Sequence, residues 1–307
     1  MNVELRHLRA FVTVATELHF NRAAAQLHLS QPTLSQTVRQ LEDALGFRLL
    51  ARSTRSVALT PNGQTFLAEA RAVLERFDGA MRQAERIASG LVGRVRVGHL
   101  IGSAIDHMPA ILRAFRETYP DVTLDVEEYD FRSPEAGLDT GATDVAVLRP
   151  PVDLPPGSRL HVLRSEPRVA CVADLHPLAA RTEVSVADLL DQPIVAAPGS
   201  GTWRDYWLLL DHRGGGAPPV VHEAATFEAE LQAVASGRGI SITPATAARF
   251  YARPGLAFPV ITDIAWCDVA VVLPPDPLPA ARHFAQLAQR VAGATRAARP
   301  GAPDSPP

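Results

Sequence analysis

The chain has 307 residues, of which 47% are hydrophobic, and a formal net charge of −3. This length exceeds one typical domain, so we predict two or three folding units with sizeable cores. The near-neutral balance argues against non-specific binding of nucleic acid. No uncharged apolar run is long enough to span a bilayer, and the charges in MNVELRHLRA argue against a signal peptide. We therefore expect a soluble cytoplasmic protein that does not bind membranes.

Charge is distributed unevenly along the chain. Residues 1–90 hold 11 arginines against 8 acids, a net charge of +3, whereas the remainder holds 19 arginines against 25 acids, a net charge of −6. A modestly basic front and an acidic remainder are typical of a DNA-binding head joined to a carrier that avoids DNA.

Residues 21–42, NRAAAQLHLSQPTLSQTVRQLE, predict two short helices joined by a tight turn. Asn21 is expected to cap the first helix and Ser30 the second, with Pro32 tolerated in the first turn. The apolar positions of the second helix recur at helical spacing and predict its buried face: Leu34, Val38, Leu41 and Leu45. An ordinary antiparallel helix pair is the alternative interpretation.

The opposite face of the second helix is polar. It carries Pro32, Ser35, Gln36 and Arg39, near the start of a helix that packs across another, as in a helix-turn-helix that reads the major groove. Gly46 is expected to end the helix. Residues 47–60 then predict two short strands with arginines at their tip, a β-hairpin wing.

The segments LRHLRAFVTVA, RAAAQLHLSQPTLSQTVRQLEDALGFRLL and LTPNG, together with Arg52, resemble the LysR-type transcriptional regulators over about sixty positions. Three residues depart from the usual family pattern. Asn21 replaces Ser or Thr but keeps the capping chemistry, and Leu50 replaces Phe but stays apolar. Thr33 replaces Ala or Ser, where we expect an effect on base preference.

The resemblance implies binding of double-stranded DNA at an interrupted inverted repeat by a homodimer, or by a homotetramer. The residues expected at the DNA are Asn21, Gln31, Pro32, Thr33, Ser35, Gln36, Arg39, Arg52, Thr54 and Arg55. Gln36 is the best candidate for base reading, because its amide can bond adenine bidentately. Arg52 and Arg55 are expected to hold the wing to the DNA backbone or the minor groove.

Thr60-Pro61 predicts the start of a long helix that ends at about Ala88. Its apolar residues step by threes and fours: Phe66, Ala70, Val73, Phe77, Met81, Ala84 and Ala88. This spacing indicates a coiled-coil seam, weakened by Gly79. A single helix that buries the stripe against its own body is the alternative. The resemblance implies a linker and dimerisation helix here.

Beyond residues 89–93 the pattern alternates between strands and helices, which predicts parallel or mixed sheets covered by helices. Strands are predicted at 95–97, 122–126, 144–148, 169–172, 194–197, 220–221, 240–243 and 269–273. Helices are predicted from the turn at 103 to before 120, near 135–138, from 185, through 203–207, and at 227–236 and 279–291.

We predict a winged helix-turn-helix domain followed by a linker helix and a two-lobed α/β effector domain, similar to periplasmic binding proteins, with a ligand cleft between its lobes. The resemblance implies the same architecture. The expected divisions are 1–60 for DNA binding, 61–89 for the linker, 90–296 for the effector domain and 297–307 for a disordered tail. Lobe I is expected at 92–163 and 266–296 and lobe II at 164–265, with crossings near 161–166 and 262–267.

Two turns in the predicted effector domain lie between a strand and a helix, Gly102-Ser103 and residues 200–202. Such turns present N–H groups at the positive end of a helix and suit a carboxylate or another anion, although simple N-capping is the alternative. Arg149 is expected to pair with a carboxylate, or else to be a solvated loop arginine. With the resemblance, the residues expected to contact a small-molecule effector are Ile101, Gly102, Ser103, Arg149, Pro198, Ser200, Gly201, Thr202, Phe227 and Thr243.

The remaining motifs predict no cofactor, no metal and no enzymatic activity. Cys171 and Cys267 have no metal-binding or disulfide spacing and are expected to be buried thiols, with a redox-sensing pair as the alternative. The histidines show no metal spacing, and no nucleophile, base and acid cluster along the chain. Two other functions stay open: a thiol-sensing regulator of the same fold, and a solute-binding or enzymatic α/β protein.

Overall fold

The structure is a computed structural model that describes residues 3–52 and 57–297, with side chains described up to residue 294. The chain divides into two compact units, residues 1–86 and residues 87–307. Within the described ranges, no helix combines the length and the apolar character needed to cross a membrane.

The first unit is three helices, a strand pair and most of a long fourth helix. Its elements are α1 (Leu5–Glu17), α2 (Phe20–Gln26), α3 (Gln31–Leu45), β1 (Leu50–Arg52), β2 (Val57–Leu59) and α4 (Pro61–Ala88). β1 and β2 pair antiparallel, with Arg52 opposite Val57. The core contains Phe11 and Val14 of α1 with Leu34, Val38 and Leu41 of α3, all fully buried. The predicted helix-turn-helix and strand pair are therefore confirmed.

Local capping chemistry explains where the short helices begin and end. Ser30 caps α3, because its Oγ accepts a hydrogen bond of 3.2 Å from the Thr33 N–H, as predicted. Gly46 ends α3 in the left-handed region at φ 80°. The prediction that Asn21 caps α2 was wrong. The cap is His19, whose Nδ1 accepts from the Asn21 N–H at 3.2 Å, because α2 begins at Phe20 and holds Asn21 inside its first turn.

α4 is continuous over 28 residues, and Gly79 does not interrupt it. Its cap is Thr60, whose Oγ1 accepts from the Gly63 N–H at 2.9 Å. At the start of the predicted stripe, Ala70 is buried in the core of the first unit. Further along, Val73 and Met81 are 47% and 48% exposed. The later part of the stripe therefore stays uncovered by its own chain.

The second unit alternates strands with helices. Its first part holds β3 (Gly93–Leu100), α5 (Met108–Thr118), β4 (Val122–Tyr129), β5 (Val145–Leu148), β6 (Arg159–Glu166), β7 (Arg168–Ala173), β8 (Glu183–Val184) and β9 (Ile194–Ala196). Its second part holds α6 (Thr202–Trp207), β10 (Val220–Glu223), α7 (Phe227–Ala235), β11 (Ser241–Pro244), α8 (Thr246–Phe250), β12 (Leu256–Ala257), β13 (Val260–Ile261), β14 (Cys267–Leu273) and α9 (Pro279–Ala297).

Two five-stranded sheets define two lobes. In the first, with the order β4-β3-β5-β14-β6, β3 runs parallel to β4 and β5 while β14 runs antiparallel to β5 and β6. In the second, with the order β11-β7-β13-β8, β12 also pairs with β7, and β9 and β10 form a separate parallel pair. The chain crosses between lobes where β6 leads into β7 and where β13 leads towards β14. This is the predicted two-lobed α/β architecture.

Several local predictions in the second unit were wrong. Residues 135–138 and 185–188 form turns instead of helices, and the second turn closes by a 2.9 Å bond from the Ser185 N–H to Asp188. The helix expected after Ser103 begins only at Met108. β6 is a full edge strand where only a crossing was expected. α9 continues past 291 to Ala297, and residues 298–307 of the predicted tail lie outside the described part of the chain.

Candidate functional site

The first candidate site is the polar face of α3. Leu34 and Val38 anchor the helix in the core, and the opposite face turns to solvent. The predicted DNA contacts that are exposed on α3 are Gln31, Pro32, Thr33, Gln36 and Arg39, with Ser35 partly buried beside them. Asn21 is also exposed, in the first turn of α2. One helix face therefore presents amide, hydroxyl and guanidinium groups to solvent.

Arg52 makes contacts within the first unit that the sequence did not predict. Its guanidinium donates to Ser35 Oγ at 3.1 Å and to Glu42 Oε2 at 3.2 Å, and lies 4.9 Å from the centre of the Phe20 ring. Burial lowers the pKa of Arg52, and the Glu42 carboxylate opposes this effect. Arg52 thus fixes β1 to Ser35 and Glu42 of α3, whereas Thr54 and Arg55 lie outside the described residues.

Glu42 holds β1 and the residues before it to α3, a role that the sequence did not predict. Its side chain is buried and accepts from the backbone N–H groups of Leu49 and Leu50 at 2.9 and 3.0 Å. Arg48 and Arg52 supply the charge that offsets its burial. The burial of Glu42 could have been inferred from its position on α3. It follows Leu41 and lies on the side of the helix that also carries Val38.

The second candidate site is a cavity of about 40 Å³ in the second unit. Four predicted effector contacts line it: Ile101, Arg149, Phe227 and Thr243. Aromatic side chains from both lobes form its walls. The Phe131 ring lies 5.1 Å from Trp203 and 6.0 Å from Phe227, and the Trp203 and Trp207 rings are 5.9 Å apart. The sequence reasoning missed Phe131, Trp203 and Trp207 as cavity residues because their spacing is also that of ordinary core residues.

Arg149 is neither a solvated loop residue nor a free cation. It is 3% exposed, and its guanidinium donates to Glu166 Oε1 at 2.7 Å and to Thr246 Oγ1 at 3.1 Å. Glu166 also accepts from Arg164 at 2.9 Å, at the point where the chain crosses between lobes. Contact between Arg149 and a ligand carboxylate stays a prediction, and such a ligand would compete with Glu166 for the guanidinium.

Ser103 and Gly102 face a different space. They line an open groove of about 460 Å³ together with His99 and Tyr251. The Ser103 hydroxyl is buried and lies 2.6 Å from the Leu100 carbonyl and 2.8 Å from the Val147 carbonyl. Because it has a single hydrogen and two internal acceptors, the Ser103 hydroxyl is committed to the fold. Since α5 begins five residues later, no helix N-terminus points from this turn, contrary to expectation.

The turn before α6 lies beside the cavity but does not line it. Pro198, Ser200, Gly201 and Thr202 are absent from its lining. Ser200 and Thr202 are exposed, and Thr202 Oγ1 donates to Asp153 Oδ1 at 2.7 Å. This bond joins the loop after β5 to α6, that is, one lobe to the other. The structure therefore gives Thr202 a role in contact between the lobes.

Three residues that line the cavity carry polar atoms without partners in the protein. Among the described residues, the Nε1 atoms of Trp203 and Trp207 and the Oγ1 atom of Thr243 are buried and have no hydrogen-bond partner. Glu230 of α7 also lines the cavity, and burial raises its pKa to about 7, which the nearby Ser241 hydroxyl partly offsets. A ligand with both a donor and an acceptor would satisfy these groups.

Both cysteines are fully buried. Burial raises the pKa of Cys267 to about 11 and raises the pKa of Cys171 as well. Reactive thiols have lowered pKa values and accessible surroundings, so neither residue has the character of a redox sensor. In the described ranges, no group of three or more metal-binding side chains is arranged to hold an ion.

Comparison with known proteins assigns both units to one family. Residues 5–64 match the bacterial regulatory helix-turn-helix protein, lysR family, and residues 88–293 match the LysR substrate binding domain. The uncharacterized HTH-type transcriptional regulator YnfL of Escherichia coli (strain K12) is 39% identical over 290 residues, which cover 92% of this chain and 97% of the relative.

Solved structures of full-length regulators share the fold. Oxidized Corynebacterium glutamicum OxyR superposes with a TM-score of 0.66 at 28% identity and covers 97% of this chain and 96% of its own. Full-length CbnR in complex with its target DNA superposes with a TM-score of 0.58 at 27% identity and covers 94% of this chain and 100% of its own. The chain therefore belongs to the LysR family of transcriptional regulators, with a helix-turn-helix DNA-binding domain followed by a substrate-binding domain.

Proposed function

We propose that this regulator reads an interrupted inverted repeat in double-stranded DNA near a promoter, and that a small molecule in the cavity of the second unit alters this reading. In this proposal residues 1–60 bind DNA, 61–89 link and dimerise, and 90–296 sense the effector. In this proposal the protein acts in the cytoplasm by binding DNA and an effector, and it uses neither catalysis nor a cofactor.

The exposed polar face of α3 carries the DNA part of the proposal. Gln31, Thr33, Gln36 and Arg39 reach solvent from one face, and the Ser30 cap fixes where that face begins. Gln36 is suited to adenine and Arg39 to guanine, because each matches a base edge with two hydrogen bonds. Asn21, Pro32 and Ser35 flank them, and Arg52 acts by holding Ser35. Arg55 is proposed to contact the DNA backbone or the minor groove, and Thr54 to lie at the DNA beside it.

The uncovered stripe of α4 supports self-association. Val73 and Met81 are about half exposed, and Ala84 and Ala88 continue the same stripe at helical spacing. Seams of this kind are buried when two helices pair. A dimer brings two heads to two half-sites, and a pair of dimers gives the tetramer.

The effector part of the proposal depends on the cavity between lobes. Ile101 and Phe131 reach it from one lobe and Phe227 and Thr243 from the other. A ligand that binds one separation of the lobes better than another shifts the population of the two states. Such a shift would change how the DNA-binding parts of a dimer are presented.

The test is binding of the purified full chain to the DNA upstream of its own coding region, with and without pooled small metabolites. We expect salt-dependent binding that protects two half-sites, and a changed footprint or affinity with at least one metabolite pool. Binding that shows no preference for this DNA over random DNA of equal length would contradict the proposal. A solute-binding protein with an incidental helical front would give that result.

A further inference from the structure

The cationic side chains at the cavity are already neutralised. Arg149 pairs with Glu166 at 2.7 Å, and Arg204 pairs with Glu223 at 2.8 Å and also donates to the Gly199 carbonyl. Both arginines line the cavity. A ligand carboxylate would have to displace an internal acid from either of them, so these arginines do not form a ready anion site.

Glu230 is the acid at the cavity that lacks a cation. In the described part of the chain it forms no ion pair, and the charged groups that line the cavity with it are Arg149 and Arg204, which pair with Glu166 and Glu223. Burial raises the pKa of the Cys171 thiol, and the charge of the Glu230 carboxylate raises it further. A carboxylate ligand would therefore find no counter-charge at Glu230, whereas a cationic ligand would favour the ionised form of this acid and pair with it.

Two tryptophans at the cavity also carry polar groups without partners. The indole Nε1 groups of Trp203 and Trp207 are donors without a protein acceptor, and Trp203 is only 7% exposed. The rings of Phe131, Trp203, Trp207 and Phe227 surround the same space. Aromatic faces attract cations, and indole N–H groups require an acceptor such as a hydroxyl, ether or carbonyl oxygen.

We propose that the cavity selects a compact ring compound that carries an amino group, with the ammonium against Glu230 and an acceptor atom against the Trp203 and Trp207 N–H groups. This inference rests on the proposed effector function and reverses the expectation of an anionic effector. The cavity of about 40 Å³ leaves room for roughly three water-sized groups. A ring therefore enters only when the lobes separate, which couples ligand binding to lobe movement.

The experiment uses the full chain and matched sets of ring compounds that differ in one substituent. One set is benzylamine, benzyl alcohol and benzoate, and further sets keep these substituents on other small rings that bear a hydroxyl or carbonyl. Binding is measured by tryptophan fluorescence and by thermal stabilisation. We expect the best binders to be amines, and Glu230→Gln to weaken them by about tenfold or more.

Glu228→Gln is the matched control, because Glu228 lies on the same helix but pairs with Arg253 at 2.7 Å on the surface. It should leave amine binding unchanged. Trp203→Phe, which keeps a ring but removes the N–H group, should weaken amines that carry an acceptor more than amines that lack one. Together these variants separate loss of the site from loss of the fold.

Preference for carboxylates in the matched sets, no amine among the binders, or amine binding that survives Glu230→Gln would each overturn the inference. DNA binding is measured in parallel on the upstream DNA. A chain that binds this DNA but prefers carboxylates contradicts only the amine inference. A chain that fails to bind the DNA contradicts the proposed function instead.

Discussion

Arg52 and Glu42 form an ion pair at 3.2 Å in which the carboxylate side chain is 1% exposed and the guanidinium side chain 22% exposed. The pair joins the first wing strand to α3, and the same carboxylate holds the backbone of Leu49 and Leu50. The position of the wing, β1 and β2, relative to the exposed polar face of α3 therefore depends on one buried acid, Glu42.

Glu42→Ala should destabilise the first unit by about 3 kcal/mol, because it leaves two buried N–H groups and two arginines, Arg48 and Arg52, without this acceptor. Hydrogen exchange of the amides in residues 31–52 measures the effect locally, since the chain has two units. The control is Asp43→Ala, which removes an exposed acid from the adjacent position. Equal protection in the two variants would contradict the role given to Glu42.

Met81→Glu should weaken self-association by at least about tenfold, or roughly 1.4 kcal/mol, because it places a charge in the apolar stripe of α4. Analytical ultracentrifugation of the full chain measures it. Gln83→Glu adds the same charge on another face of the helix and should have little effect. If both variants associate like the unmodified chain, the α4 stripe is not the seam.

The folded chain should react with iodoacetamide at least about a hundredfold more slowly than the denatured chain at mildly alkaline pH, because burial raises the pKa of both thiols. Mass spectrometry of labelled peptides resolves Cys171 from Cys267. Rapid labelling of the folded chain, or a Cys171–Cys267 disulfide after peroxide treatment, would support the thiol-sensing alternative over this account.

The second unit should lose stability as the pH rises through the raised pKa of Glu230. Burial moves this pKa from 4.5 to about 7, so the protonated acid is favoured in the folded state. Its contribution is complete below about pH 4.5 and is lost as the pH passes about 7. Glu230→Gln, which cannot ionise, should therefore be more stable than the unmodified chain by roughly 1–3 kcal/mol at about pH 8.

Urea unfolding followed by tryptophan fluorescence measures this difference. All three tryptophans, Trp203, Trp207 and Trp266, lie in the second unit, so the signal reports that unit alone. Glu228→Gln, which alters an exposed acid on the same helix, should retain the pH dependence of the unmodified chain. A Glu230→Gln variant with that same dependence would show that Glu230 is ionised and solvated in the folded state.

The sequence predicted those features of the fold that depend on local chemistry. Ser30 and Gly46 were recognised because their side-chain oxygen and missing Cβ suit the ends of α3. Periodicity located the long α4 and most strands of the second unit. Asn21 was misjudged because a histidine nitrogen can also cap a helix, and His19 lies two residues earlier.

The interior partners of charged residues were not predictable from local sequence. Arg149 and Glu166 are 17 positions apart, and the Val147 carbonyl that binds Ser103 is 44 positions away. Only the pairing of strands brings these groups together. Glu230 was missed for the same reason, since an acid on an amphipathic helix is usually solvated. The sequence therefore predicted part of the cavity's lining, but it did not predict the ion pair of Arg149 or the presence of Glu230.

The most direct test of the exposed polar face of α3 is a DNA-binding measurement with the full chain. Binding to its upstream DNA is compared with binding to random DNA across a series of salt concentrations. The account predicts that Arg39→Ala weakens specific binding by roughly 1–3 kcal/mol and leaves non-specific binding and its salt dependence nearly unchanged. Gln40→Ala, the adjacent exposed position, should bind like the unmodified chain. Uniformly weaker binding with a flatter salt slope would make Arg39 a phosphate contact, and unchanged specific binding of Arg39→Ala would contradict the account.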